Sequence, residues 1–212
     1  MSSEKKKPAI YPKPDGPYVV ENLESFSSRK GPIESKPTMA LCRCGGSENK
    51  PFCDGTHKNI GFSSSKLDGR APDAREDYII EGVTLHDNRS ICAHAGYCTD
   101  GLPAVFRSRK EPWIDPSAAS PEEIIAVVKK CPSGALSYTA GGVEDRDRKT
   151  DPAIFVAPNG PYVVKGGPEL LETKRGDGAS TEHFTLCRCG GSRNKPFCDG
   201  SHWSNEFTDD KN

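Results

Sequence analysis

The chain has 212 residues, with 29 Lys and Arg against 30 Asp and Glu, a formal charge of −1 that excludes the cationic field by which proteins hold nucleic acid or anionic lipid. A hydrophobic fraction of 33%, a mean hydropathy of −0.67, 21 glycines and 18 prolines describe a loop-rich globular protein with a thin apolar core. The 9 cysteines are an odd number and cannot form a closed disulfide framework. Small modules of this composition usually need metal or disulfide support, so the cysteines are candidate ligands.

The opening MSSEKKKPAIYPKP carries a basic run without a following apolar segment and predicts a solvated, flexible tail rather than a leader. The segment from Ala9 to Val20 then reads as strand, Pro-Asp-Gly turn and strand, ending in Gly16-Pro17-Tyr18-Val19-Val20. After a variable Gly/Ser/Lys stretch comes LCRCGGSENKPFCDGTH, Leu41 to His57. Its donors, Cys42, Cys44, Cys53 and His57, have the spacing C-x-C-x8-C-x3-H and suit one tetrahedral or cluster site. Gly45 and Gly46 lack a Cβ, so their amides can approach sulfur closely. Asp54 is placed to cap a short helix opening at Gly55, and Pro51 stiffens the approach to the third cysteine. Arg43 and Lys50 read as solvated charges, or as counter-charges near the metal centre or a docking patch for an acidic partner. This unit occupies residues 1–68, and the charged, Gly- and Ser-rich stretch from Ser63 to Ala74 reads as its linker.

The second unit, residues 75–140, has a different grammar. Tyr78 to Leu85 reads as a strand or hairpin, and Cys92 and Cys98 follow in a loop or short helix. Val105-Phe106 and Trp113-Ile114 are short extended pieces, and Trp113, like Trp203 near the C-terminus, is a packing residue that could also shield a metal centre. One helix is well specified: Ser120 as N-cap, Pro121 at the first turn, Glu123 completing a capping box, and Lys129-Lys130 complementing the C-terminal dipole. Its apolar residues Ile124, Ile125, Val127 and Val128 face the core and are the longest apolar run, too short to span a membrane. Cys131-Pro132 comes directly after, and Gly141 to Asp151 reads as a second linker.

The third unit, residues 147–212, repeats the first. Ala153-Ile154-Phe155 to Val164 matches the opening hairpin, and LCRCGGSRNKPFCDGSH, Leu186 to His202, differs from its counterpart only at Arg193 and Ser201. Cys187, Cys189, Cys198 and His202 are the equivalent donors, with Gly190, Gly191 and Asp199 beside them and Arg188 and Lys195 as the corresponding charges. His86 and His183 have no cysteine spacing and are not ligands. A single three-Cys, one-His zinc ion is the alternative that spacing leaves open, although C-x-C departs from the usual C-x2-C knuckle.

The repeated block resembles the CDGSH iron–sulfur domains typified by mitoNEET, on the evidence of C-x-C, Ser47 or Ser192, and the Pro-Phe-Cys-Asp-Gly-[Thr/Ser]-His segment. That resemblance implies a 2Fe-2S cluster in each copy, one iron on Cys42 and Cys44 (Cys187 and Cys189), the other on Cys53 and His57 (Cys198 and His202). An imidazole in place of a thiolate should raise the potential and couple the cluster to protons, so acid should release it at both ends. ICAHAGYC, Ile91 to Cys98, and CPSGAL, Cys131 to Leu136, resemble the divergent monocluster ferredoxins. Ala95 stands where a four-Cys ferredoxin has its second ligand. Three cysteines suit a 3Fe-4S cluster; a 4Fe-4S cluster would need His94, water or an outside donor.

The expected class is α+β, rich in strands and loops. Two CDGSH-type units would pair through their Gly-Pro-Tyr-Val-Val strands about a pseudo-two-fold axis within one chain, a homodimer being the alternative, with a small ferredoxin-like unit between. No Ser-His-Asp grouping or phosphate-cradling loop is apparent, so the expectation is a cytoplasmic electron-transfer protein, not an enzyme, meeting redox partners without nucleic acid or membrane. A cluster carrier or redox and pH sensor, serving apo iron–sulfur acceptors, is the second reading.

Overall fold

The computed structural model describes residues 6–212; of the opening segment read as a solvated tail, residues 1–5 lie outside them, and the rest corrects that reading, since Ala9–Pro12 is a strand whose Ile10 is fully buried. In the first unit, β1 (Ala9–Pro12) and β2 (Tyr18–Glu21) form the expected hairpin, followed by β3 (Ser25–Ser28), β4 (Gly31–Pro32), β5 (Thr38–Leu41) and the single turn α1 (Thr56–Asn59). The central unit contributes β6 (Glu76–Ile80), β7 (Val83–Asp87), α2 (Tyr97–Gly101), α3 (Pro121–Val128), β8 (Leu136–Ala140) and β9 (Val143–Asp145). The third unit has β10 (Ala153–Val156), β11 (Tyr162–Lys165), β12 (Glu169–Leu170), β13 (Phe184–Leu186) and α4 (Ser201–Ser204). The result is strand-rich with few and short helices, an α+β chain.

The end units exchange strands. One sheet has the order β12-β1-β2-β5 and the other β13-β11-β10-β3-β4. Thus β12 of the third unit lies parallel to β1, and β3 of the first lies parallel to β10 with Phe26 opposite Ile154. This corrects the expected role of the Tyr-Val-Val strands. Both edges of β2 are taken by β1 and β5 of its own unit, and both edges of β11 by β10 and β13, so neither has an edge left to offer the other copy. The outer edges of β1 and β10 were free and make the exchange.

Tyr18 and Tyr162 nevertheless meet, edge to face at 6.0 Å, in a core with Ile10, Val20, Ile154 and Val164. The two hydroxyls cross over. Tyr18 donates to the carbonyls of Cys187 and Pro196 at 2.9 and 3.0 Å, and Tyr162 to those of Cys42 and Pro51, both at 2.9 Å.

The third sheet, β6-β7-β8-β9, is antiparallel throughout and packs Val83, Leu85, Leu136 and Tyr138 against α3. Ser120 Oγ accepts from Glu123 N and the Glu123 carboxylate from Ser120 N, the capping box read from sequence. Ile124, Val127 and Val128 are buried and Ile125 is half-buried. Beyond the helix, the carbonyl of Lys129 is taken by the Arg148 guanidinium, 2.5 Å away, which also holds the carbonyl of Cys131. The stretch 141–151 is not wholly linker, because Gly141 and Gly142, at φ of 57° and 78°, turn the chain into β9. Ile91 and Ala135 of the central unit sit in the core of the end units, which docks the third sheet onto them.

Candidate metal centres

The Cys-x-Cys segments follow β5 and β13 and meet each other. Cys44 and Cys189 form an isolated antiparallel bridge. A Cβ on Gly45 would fall 2.6 Å from the carbonyl oxygen of Cys189, and one on Gly190 would fall 2.5 Å from that of Cys44, so the first glycine of each pair exists for the other copy's backbone. In each segment the two sulfurs are 3.8 Å apart. Across each site the third cysteine pairs with the histidine one turn on: Cys53 Sγ to His57 Nδ1 is 3.3 Å and Cys198 Sγ to His202 Nδ1 is 3.5 Å. The donors therefore stand as two pairs. Among the described residues no three His, Cys, Asp or Glu side chains are gathered closely enough for a single metal ion.

Backbone amides face the sulfurs. Gly55 N lies 3.4 Å from Cys53 Sγ, Gly191 N 3.4 Å from Cys189 Sγ and Gly200 N 3.5 Å from Cys198 Sγ. The helices begin one residue later than expected, at Thr56 and Ser201, with Gly55 and Gly200 as left-handed N-caps. Asp54 acts from just outside. It accepts from Thr56 N at 3.0 Å and, with its other oxygen, from Glu48 N at 2.8 Å, tying the Gly-Gly loop to the Cys53 loop. Asp199 does the same with Ser201 N and Arg193 N. The hydroxyl of Thr56, then its backbone N–H and that of Glu48, hold the Asp54 carboxyl well below its usual range.

A donated S–H from Cys44, with backbone amides beside it, lowers Cys42 to about 6, and Cys187 lowers Cys189 to about 6 in the same way. Burial pushes Cys53 and Cys198 up. Clustered thiols with one thiolate already favoured suit soft or borderline iron, whose binding drives off the remaining protons.

The two motifs differ in cover. Asp54 is exposed and His57 half-buried, whereas His202 is buried and its ring lies 5.1 Å from that of Trp203. The cover comes from the central unit: Trp203 Nε1 donates to the His94 carbonyl at 3.2 Å, and Asn194 Nδ2 to Ser90 O at 2.7 Å. The His94 ring packs so tightly on Gly200 that a Cβ there would lie 2.5 Å from it. Burial lowers both His94 and His202.

Arg43 and Arg188 are buried, which corrects their reading as solvated charges. Arg188 satisfies itself on Gly160 O and Ala157 O, each at 2.8 Å, and on Asp209, while Arg43 donates to Lys13 O at 3.2 Å and lies over the Tyr18 ring. A guanidinium with carbonyl partners tolerates burial and here clamps the hairpin turns. Lys195 is buried too, donating to Ser192 O at 2.7 Å; Lys50 makes the same bond to Ser47 O.

In the central unit Cys92, Cys98 and Cys131 line one cavity of about 760 Å³, together with His94 and Asp87. Burial raises Cys92 to about 12, against the pull of Arg89, whose Nη1 lies 3.8 Å from its sulfur. Burial raises Asp87 to about 7. His86 is spent on Asp77 and Thr139, at 2.6 and 2.8 Å, and His183 on Ser180 at 2.9 Å, away from the cysteines. Tyr18, Tyr162, Asp87 and Arg148 had no local signal in the sequence; only the repeat, which placed a Tyr before each motif, hinted at the first two.

Residues 15–58 and 159–203 each match the family described as an iron-binding zinc finger of CDGSH type. Two relatives, the uncharacterized protein YjdI of Escherichia coli K12 and that of Escherichia coli O157:H7, are each 36% identical over 61 residues, 29% of this chain and 80% of theirs. The chain belongs to the CDGSH iron-binding family. Its two CDGSH units flank residues 78–141, which match a divergent 4Fe-4S monocluster domain. No solved structure matches this CDGSH protein. It is an iron–sulfur protein, and among its described residues no helix is long and apolar enough to cross a membrane.

Proposed function

We propose that the chain is a multi-cluster carrier of single electrons, with two pH-sensitive, His-ligated 2Fe-2S clusters and a third cluster in the central unit, and that it is not itself an enzyme. The observation that carries this reading is the arrangement of each CDGSH donor set as a Cys-Cys pair facing a Cys-His pair. Two donors per iron suit a two-iron cluster; a lone zinc ion would want all four converging. Cys42, Cys44, Cys53 and His57 would hold one cluster and Cys187, Cys189, Cys198 and His202 the other, with Cys92, Cys98 and Cys131 as ligands in the centre. When bound, such clusters supply sites that accept and return one electron at a time.

The polypeptide does the rest. Gly55, Gly191 and Gly200 offer N–H groups to sulfur and spread its negative charge, a standard means of tuning potential. The reciprocal tyrosine and glycine contacts support a pseudo-two-fold pairing of the end units within one chain, and a rigid, preorganised frame lowers the cost of changing cluster charge. Sedimentation at low concentration should therefore give a monomer.

The partial exposure of the first motif favours a second reading, in which that site donates its cluster to an apo acceptor. Stopped-flow reduction and incubation with an apo-ferredoxin separate the two. Rapid, reversible reduction with iron and acid-labile sulfide retained supports electron transfer; stoichiometric transfer of colour to the acceptor supports the carrier. A colourless chain loaded with zinc would overturn both.

A further inference from the structure

The central unit has three cysteines where a cubane cluster needs four donors, and Ala95, at the position of the missing cysteine, is exposed. Asp87 shares the cavity with those cysteines. It ends β7 on the face that also carries Val83 and Leu85, and it is 1% exposed. Neither of its carboxylate oxygens has a hydrogen-bond partner. A buried, unpartnered carboxylate is strongly disfavoured unless a cation or donor meets it.

A cation is near, Arg89, whose charge favours the ionised carboxylate, but it makes no hydrogen bond to either oxygen. Arg89 sets its guanidinium 4.3 Å from the centre of the Trp113 ring and reaches the Cys92 sulfur rather than the carboxylate. Glu76 only adds negative charge. The Trp113 indole N–H, buried and without a hydrogen bond of its own, also favours the charged carboxylate, but it has a single proton to give and would leave the second oxygen of Asp87 free. The fold sets Asp87 between the two cysteine-bearing segments: it stands five residues before Cys92, opposite Leu136 in the β7–β8 register, and Asn88 N donates to Ala135 O at 2.9 Å in the segment that follows Cys131. His94, the donor suggested by sequence, has its ring against Gly200 of the C-terminal CDGSH motif.

We propose that Asp87 is the fourth protein ligand of the central cluster, one carboxylate oxygen closing the corner left open at Ala95, so that the unit holds a four-iron cluster on three thiolates and one carboxylate. This rests on the iron–sulfur reading of the central unit given above. Ligation through one oxygen leaves the other to accept from the Trp113 indole N–H, so both orphaned oxygens and the orphaned indole are satisfied together; because oxygen is a harder donor than thiolate, that corner is the one from which iron is most readily lost.

The test uses the full chain, reconstituted anaerobically with iron and sulfide, as wild type, Asp87→Ala, Asp87→Cys and His94→Ala. Iron, acid-labile sulfide and EPR of the oxidised proteins are read together. Wild type and His94→Ala should be EPR-silent. Asp87→Ala should lose about one iron per chain and gain the half-integer-spin signal of a three-iron cluster, and Asp87→Cys should restore the silent, four-iron state. Should Asp87→Ala fail to fold, Asp87→Cys still decides, because a thiolate in place of a carboxylate must change the EPR spectrum of the reduced central cluster. An unchanged spectrum, a three-iron signal already present in wild type, or iron loss in His94→Ala instead of Asp87→Ala would each overturn the proposal. Iron and sulfide sufficient only for the two CDGSH sites in wild type would overturn the reading of the central unit and the proposal with it.

Discussion

At Gly45 and Gly190 the backbone runs at φ of 79° and 78° against the partner motif's carbonyls, so a single methyl group meets both a conformational and a steric penalty. The left-handed conformation alone costs an alanine about 1–2 kcal/mol. Separating the Cys44–Cys189 bridge adds to it, for a total of about 2–4 kcal/mol in Gly45→Ala or Gly190→Ala. Gly82→Ala is the control: its φ is 70° but nothing lies within 4 Å of the added Cβ, so only the conformational part should appear. Urea midpoints of the three variants measure the difference, and equal losses at Gly45 and Gly82 would show that the inter-motif contact contributes nothing. The sequence placed these glycines beside sulfur, because the C-x-C-G-G spacing is local. What it could not express is that the first of each pair faces the other copy, a contact made across more than a hundred residues. The same blindness explains Arg43 and Arg188: a charge reads as solvated until its carbonyl partners are in view.

Elements show the same division between local and distant causes. The α3 capping box and the strand character of Tyr18–Glu21 and Tyr162–Lys165 were legible, since three or four neighbouring residues decide them. Which edge each strand would use was not legible, because that depends on edges already filled by β5 and β13. The joint between the central and third units lies in the loop before β13, where Ser180 and His183 pack on Gly134. Burial, reinforced by the Arg148 charge and opposed by Asp147 and Asp145, depresses His183 from 6.5 to about 4. The neutral ring is the one the fold accepts. Its contribution is complete above pH 6.5 and is lost as pH falls through 4, up to about 3 kcal/mol in all. Unfolding of the metal-free chain, followed against pH, should therefore weaken over that interval more in wild type than in His183→Gln; parallel curves would show that the joint carries no such proton linkage.

On the scale of the whole molecule, the two nearly identical CDGSH motifs are placed in unlike surroundings. The central unit covers the C-terminal one through Ser90, whose carbonyl accepts from Asn194, and His94, whose carbonyl accepts from the Trp203 indole, and leaves the N-terminal one open at Asp54 and His57. Two sites with the same donors thus differ in access to water and acid. Proton attack on a ligating imidazole requires that access, so mild acid should bleach the visible absorption in two phases, the N-terminal site first. Replacing each histidine singly assigns them: His57→Cys should remove the fast phase and His202→Cys the slow one. Trp203→Ala, which removes the ring beside His202 and its bond to the His94 carbonyl while keeping all four donors, should bring the slow phase towards the fast. One phase in wild type, or a fast phase that survives His57→Cys and vanishes in His202→Cys, would mean that cover by the central unit does not govern release. On the electron-carrier reading proposed above, the shielded site would be the one suited to exchanging electrons with a central cluster without loss, and the open site the one that an external protein would reach.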